Sequence, residues 1–81
     1  MKIVYDPVKR LSNLEKHGFD FADLDEAFFL EAKIAPANQG RLRATGEFGE
    51  TIVTGIFSVL GAEAISIVSM RRASRKERQE L

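Results

Sequence analysis

His17 is the one histidine in the chain, and Lys16 stands beside it. Imidazole is the side chain whose ordinary titration best suits proton transfer near neutral pH. Lys9 and Asn13 precede it at spacings that place them along the same side of a helix. Far along the chain, Arg71 and Arg72 directly follow a β-favouring run, so they project at a strand end. Guanidinium groups placed there can clamp a phosphate bidentately and stabilise a phosphorane-like transition state. Arg41 and Arg43 lie on an earlier strand, as further phosphate contacts or simply as its outward face. Histidine, lysine and arginine without an ordered carboxylate cluster suit metal-independent RNA cleavage. There the 2′-OH of the RNA attacks the adjacent phosphate, and the protein need only move protons and neutralise charge. On local spacing alone, a surface histidine pairing with a helix dipole is the commoner explanation of His17. The cations around it are what favour chemistry.

Charge and composition narrow the classes further. The 81 residues carry 12 basic and 12 acidic side chains, so bulk positive charge does not hold this chain on nucleic acid. The charges are segregated. Residues 19–31 hold five carboxylates and no cation, whereas residues 71–78 hold five cations against Glu77 alone. A local basic surface therefore forms if the two ends of the chain meet. The acidic run at Asp20, Asp23, Asp25 and Glu26 fits the first turn of a helix, and no metal site is expected from it. Cysteine is absent, so there is neither a disulfide framework nor a thiolate metal site. No apolar run approaches membrane-spanning length, no secretory signal is visible, and a cytoplasmic location is expected. No phosphate-binding glycine loop or nucleophile-elbow motif occurs, and no cofactor is expected.

The elements that must position these residues can be read from the pattern. Residues 2–5 form a short strand. Asp6 caps, and Pro7 opens, a helix that runs to about His17 and stops at Gly18. Val8, Leu11 and Leu14 make its apolar stripe, interrupted by Glu15, with Lys9, Asn13 and Lys16 opposite. A second helix is expected over 21–30, capped by Asp20, with Phe21, Leu24 and Phe28 facing the core. Residues 33–40, with Pro36, Asn38 and Gly40, read as a loop. Strands at 41–45, 51–59 and 64–70 follow, joined by turns at 48–50 and 61–63, and Gly55 suggests a bulge or a close approach. Ser74 and Glu77 form a capping box that starts a short charged helix. The expected fold is a single α+β domain over 1–81, in the order β-α-α-β-β-β-α. Its three consecutive strands form an antiparallel meander, helices cover one sheet face, and the other face is left more open.

Two segments also resemble a known family. Tyr5-Asp6-x-x-Lys9-x-x-x-Asn13-x-x-Lys16-His17-Gly18-x-x-Phe21 is similar to the N-terminal signature of the BrnT-type toxins. Ile67-Val68-Ser69-Met70-Arg71-Arg72-Ala73-Ser74-x-x-Glu77 is similar to their C-terminal signature. The resemblance implies a RelE-like compact fold and a ribonuclease toxin of a type II toxin–antitoxin module that halts translation. It also implies neutralisation by a cognate antitoxin of the ribbon-helix-helix type, with DNA contacted only through that antitoxin. Lys16, His17 and Arg71 match the family's K-H pair and I-S-x-R arginine, which makes them the catalytic candidates. Arg72, Arg41, Arg43 and Lys9 are the RNA-binding candidates. Three positions depart from the family pattern: Tyr5 replaces a usual Trp, Glu50 a basic turn residue, and Ser66 lies near a usual Arg. The last two motivate an alternative, a weak or inactive member that serves as an antitoxin-binding or co-repressor module. A free-standing nucleic-acid-binding domain is disfavoured, because it needs an exposed aromatic platform and the phenylalanines fit the core. The catalytic reading requires His17, Lys16 and Arg71 to meet around one phosphate-sized pocket.

Overall fold

The computed structural model describes residues 1–81. A strand β1 (Lys2–Tyr5) leads into helix α1 (Pro7–His17), a 3₁₀ turn (Phe21–Asp23) and helix α2 (Glu26–Glu31). Strands β2 (Lys33–Pro36), β3 (Leu42–Phe48), β4 (Thr51–Leu60) and β5 (Ala64–Arg72) follow, with a second 3₁₀ turn (Asn38–Gly40) after β2. A short helix α3 (Arg75–Gln79) ends the chain. The five strands form one sheet in the order β1-β5-β4-β3-β2. The expected α+β class and meander hold. β1 returns to pair parallel with β5, Tyr5 opposite Ile67, so the start of the chain lies against its end.

Caps explain where the helices begin. The Asp6 carboxylate accepts the Val8 N–H at 2.8 Å, and Gly18, at φ 77°, closes α1 with its N–H on the Leu14 carbonyl. The single helix expected over 21–30 is instead two pieces. Asp20 caps the 3₁₀ turn through Ala22 N–H, and Asp25 caps α2 through Phe28 N–H. Two caps five residues apart end one helical segment and start another. The expected loop at 33–40 begins with a strand, since Lys33–Pro36 pairs antiparallel with Thr45–Leu42. Pro36 is tolerated there because β2 is a sheet edge, where a missing N–H costs no ladder bond.

The core lies on one face of the sheet. Phe21, Leu24, Phe28 and Phe29 pack on Ala44, Val53, Phe57, Ile65, Ile67 and Met70. Phe29 stacks edge-to-face on its neighbour Phe28 within α2 and on Phe57, and the second pair ties α2 to β4. Close approach at Gly55 is to Leu24, whose Cδ1 lies 3.6 Å from where a Cβ would sit. The bulge falls one step further on. Ile56 pairs with Ser69 but Phe57 with Ile67, which leaves Val68 of β5 as the extra residue.

The orientation of α1 runs against its apolar stripe. Its apolar stripe faces outward, with Val8 74%, Leu11 64% and Leu14 41% exposed, and its buried residue is Asn13. The reason is backbone satisfaction. β1 covers the edge of β5 only as far as Ile67, which leaves Met70 on a bare edge. The Asn13 amide fills that gap as a strand would. Its Oδ1 accepts the Met70 N–H at 3.0 Å, and its Nδ2 donates to the Met70 carbonyl at 2.9 Å and to Phe19 at 3.0 Å. Arg10 adds a bidentate pair to Asp20, at 2.7 and 2.9 Å, which ties α1 to the 3₁₀ turn. This pair, together with the Ala22 N–H, lowers the Asp20 carboxyl to about 2. Asn13→Leu is therefore expected to lower stability by about 2–4 kcal/mol, two buried backbone groups losing their partner. Urea denaturation measures it.

Candidate nucleic-acid interface

Strand alternation divides the candidates between the two sheet faces. Thr54 lies opposite Arg71, and Arg43 opposite Ile56, all on the face away from the phenylalanine core. Arg72 follows Arg71 by one residue and so falls on the other face, exposed and apart from the rest.

On the open face, a depression of about 470 Å³ is lined by Arg41, Arg43, Arg71 and Glu77, with Pro36, Ala37, Asn38 and Ile56. Arg71 is not a loose cation. Its Nη1 and Nη2 donate to Glu77 Oε1 and Oε2 at 2.8 and 3.0 Å, a fork-on-fork pair. Glu77 is 8% exposed and is held from behind. Thr54 Oγ1 donates to it at 2.9 Å and lies 2.9 Å from Thr45 Oγ1, while Ser74 N–H donates to Oε1 at 2.9 Å. A capping box therefore does two jobs. It starts α3 and anchors the arginine. The Arg71 hydrogen bonds, aided by those of Ser74 and Thr54, hold the Glu77 carboxyl down at about 2. The same carboxylate raises the Arg71 guanidinium above its ordinary value. Arg43 sits farther off, at 3.8 Å from Glu77 and 3.7 Å from Glu80, and donates to the Pro36 carbonyl at 3.2 Å.

A second depression, about 210 Å³, is lined by Lys9, Ser12, Asn13, Lys16 and His17 of α1 with Val68 and Ser69 of β5. Lys9, Lys16 and His17 are exposed. The extra residue of the bulge, Val68, is in its wall.

The two ends of the chain do meet, but not around one pocket. His17, Lys16 and Lys9 line one depression, and Arg71, Arg41 and Arg43 line its neighbour. Ser69 in the first and Arg71 in the second are two residues apart on β5, about 7 Å along the strand. The single phosphate-sized pocket expected from the sequence is thus a pair of adjacent cationic hollows. Two residues of consequence escaped the sequence reading. In the sequence Glu77 reads as a helix cap and as a position of the C-terminal signature, but not as the partner of Arg71, although a carboxylate six residues after Arg71 with a helix start between them is the available signal. Asn13 reads as a signature position on the basic helix face, with no sign that its amide would complete the edge of β5.

Comparison with known proteins bears on these features. A comparison with curated proteins found no match. The 1.1 Å crystal structure of the Brucella abortus ribonuclease toxin BrnT superposes with a TM-score of 0.86 at 53% sequence identity. The alignment covers 93% of this chain and 99% of that one. The family model described as "Ribonuclease toxin, BrnT, of type II toxin-antitoxin system" matches residues 5–77. That span starts at Tyr5, ends at Glu77, and takes in both hollows, so the chain belongs to the BrnT family of ribonuclease toxins of type II toxin–antitoxin systems.

Proposed function

We propose that this chain is a metal-independent endoribonuclease whose substrate crosses both hollows on the open side of β5. Arg71, fixed by Glu77, meets the phosphate under attack, and Arg41, Arg43 and Lys9 hold neighbouring phosphates. Arg72, on the other face, takes no part in this path. His17, with Lys16 beside it, moves protons. In the reaction the 2′-oxygen loses its proton and bonds to phosphorus, the bond from phosphorus to the 5′-oxygen breaks, and that oxygen gains a proton. The charge that builds on the phosphoryl oxygens is met by cations of the chain itself. The observation that carries this reading is the juxtaposition of the His17 hollow and the Arg71 hollow, whose linings on β5 are two residues apart. Family membership implies a cognate antitoxin. That this antitoxin is of the ribbon-helix-helix type, that DNA is reached only through it, and that the toxin acts in the cytoplasm are further parts of the proposal. No helix of the chain is long and apolar enough to cross a membrane.

A second reading draws on one feature of the site. Both terminal guanidinium nitrogens of Arg71 are engaged by Glu77. A chain that kept this pair closed against RNA would bind antitoxin without cutting, as an inactive co-repressor partner. One experiment separates the two: purified protein is incubated with total RNA in EDTA beside His17→Ala. Loss of general acid–base catalysis lowers the rate about 10²- to 10⁴-fold. Intact RNA with both proteins supports the second reading instead.

A further inference from the structure

The outward stripe of α1 is explained by nothing inside the chain. Val8, Leu11 and Leu14 recur at three-residue spacing along about 9 Å of helix, each exposed. The folded chain gains nothing by showing this row to water. Alongside it, on the flank toward the sheet, run Lys9, Ser12 and Lys16. No carboxylate lies within ion-pair distance of Lys9 or Lys16, whereas Arg10, Arg43 and Arg71 all have acidic partners. Exposed Glu15 interrupts the row at its C-terminal end, just past Leu14. Over Val8, Leu11 and Leu14 themselves, an apolar row beside an unpaired basic row is the complement of one kind of surface: an amphipathic segment with an aliphatic row next to a carboxylate row that ends short of Glu15.

We propose that the outer face of α1 is the docking site of the antitoxin, taken by an amphipathic acidic segment that lays its aliphatic row on Val8, Leu11 and Leu14. Its carboxylates then meet Lys9 and Lys16. These two lysines also line the His17 hollow, so the bound segment occupies the rim that RNA would need. Docking follows from family membership and the exposed stripe. Exclusion of RNA rests in addition on the function proposed above.

The test uses the full chain carrying Leu11→Ser and Leu14→Ser, with its cognate antitoxin as the probe. Both positions are exposed, so the variant is expected to melt with the wild type. Losing two interfacial leucines weakens antitoxin binding about 100-fold by calorimetry. RNA cleavage by the free variant stays at the wild-type rate, but the antitoxin no longer suppresses it. Unchanged antitoxin affinity overturns the proposal. So does a wild-type dimer that the variant loses while still binding antitoxin normally, because the stripe then belongs to a second copy. If wild type cuts no RNA, the function proposed above fails, and the calorimetric comparison still decides the docking site.

Discussion

Arg71→Ala is expected to lower RNA cleavage about 10²- to 10³-fold, the loss seen when one preorganised donor to a transition-state charge is removed. Arg71→Lys should recover little of it. Lysine keeps the positive charge but not the planar fork that grips both Glu77 oxygens at 2.8 and 3.0 Å, so its ammonium is not aimed at the phosphate. Arg71→Ala also leaves Glu77 without its main partner in a buried site, which is expected to cost about 2–4 kcal/mol. Cleavage should therefore be measured well below the melting temperature of the variant. Single-turnover rates at saturating RNA then report chemistry instead of fold. A rate for Arg71→Ala within about threefold of wild type means that the arginine serves the fold alone.

The second large effect is on acid stability. The Glu77 carboxyl, ordinarily near 4.5, is held at about 2 in the folded chain, chiefly by Arg71. The unfolded chain therefore binds a proton that the folded chain refuses. The resulting stabilisation is fully present above pH 4.5 and is lost as pH falls through that value toward 2. Its full size is about 3 kcal/mol for a shift of this extent. Glu77→Gln keeps the shape of the helix cap and an acceptor for Ser74 N–H, but has no proton to take up. Denaturant titrations should show Glu77→Gln less stable than wild type at pH 7 and converging with it below pH 3. Asp20, lowered to about 2 by Arg10, keeps some acid sensitivity in both proteins. Parallel stability curves for the two proteins from pH 7 to pH 3 contradict this account of the pair.

Much of this architecture was written locally. Asp6-Pro7, Gly18 and the Ser74–Glu77 box each satisfy orphan helix-end groups within a few residues, so their pattern is readable without tertiary context. The meander is equally local, with Gly49 supplying the positive φ that a tight hairpin turn needs. What depends on distant partners was not readable. The period of α1 showed an apolar stripe but not which side would pack. That was decided by the bare edge of β5 at Met70, 57 residues away, which the Asn13 amide completes. Strand β2 was hidden by Pro36, a residue that forbids a central strand but not an edge one. The break at Asp25 was masked because its neighbours continue the helical spacing of Phe21, Leu24 and Phe28. For the site, the residue types pointed to phosphate chemistry, and the signature at each end of the chain pointed to the family. Their division into two hollows follows from where α1 crosses the edge of β5, and no spacing in the sequence records that.

Cleavage by 2′-OH attack across the His17 and Arg71 hollows fixes the chemistry of the RNA ends it leaves. A short defined RNA is cut by the purified chain in excess EDTA, and the fragments are resolved by mass. The expected result is a 2′,3′-cyclic phosphate on one fragment and a free 5′-hydroxyl on the other, formed by wild type and lost with His17→Ala and Arg71→Ala. Fragments bearing 5′-phosphate and 3′-hydroxyl ends, or cleavage that appears only when a divalent metal is restored, would contradict it.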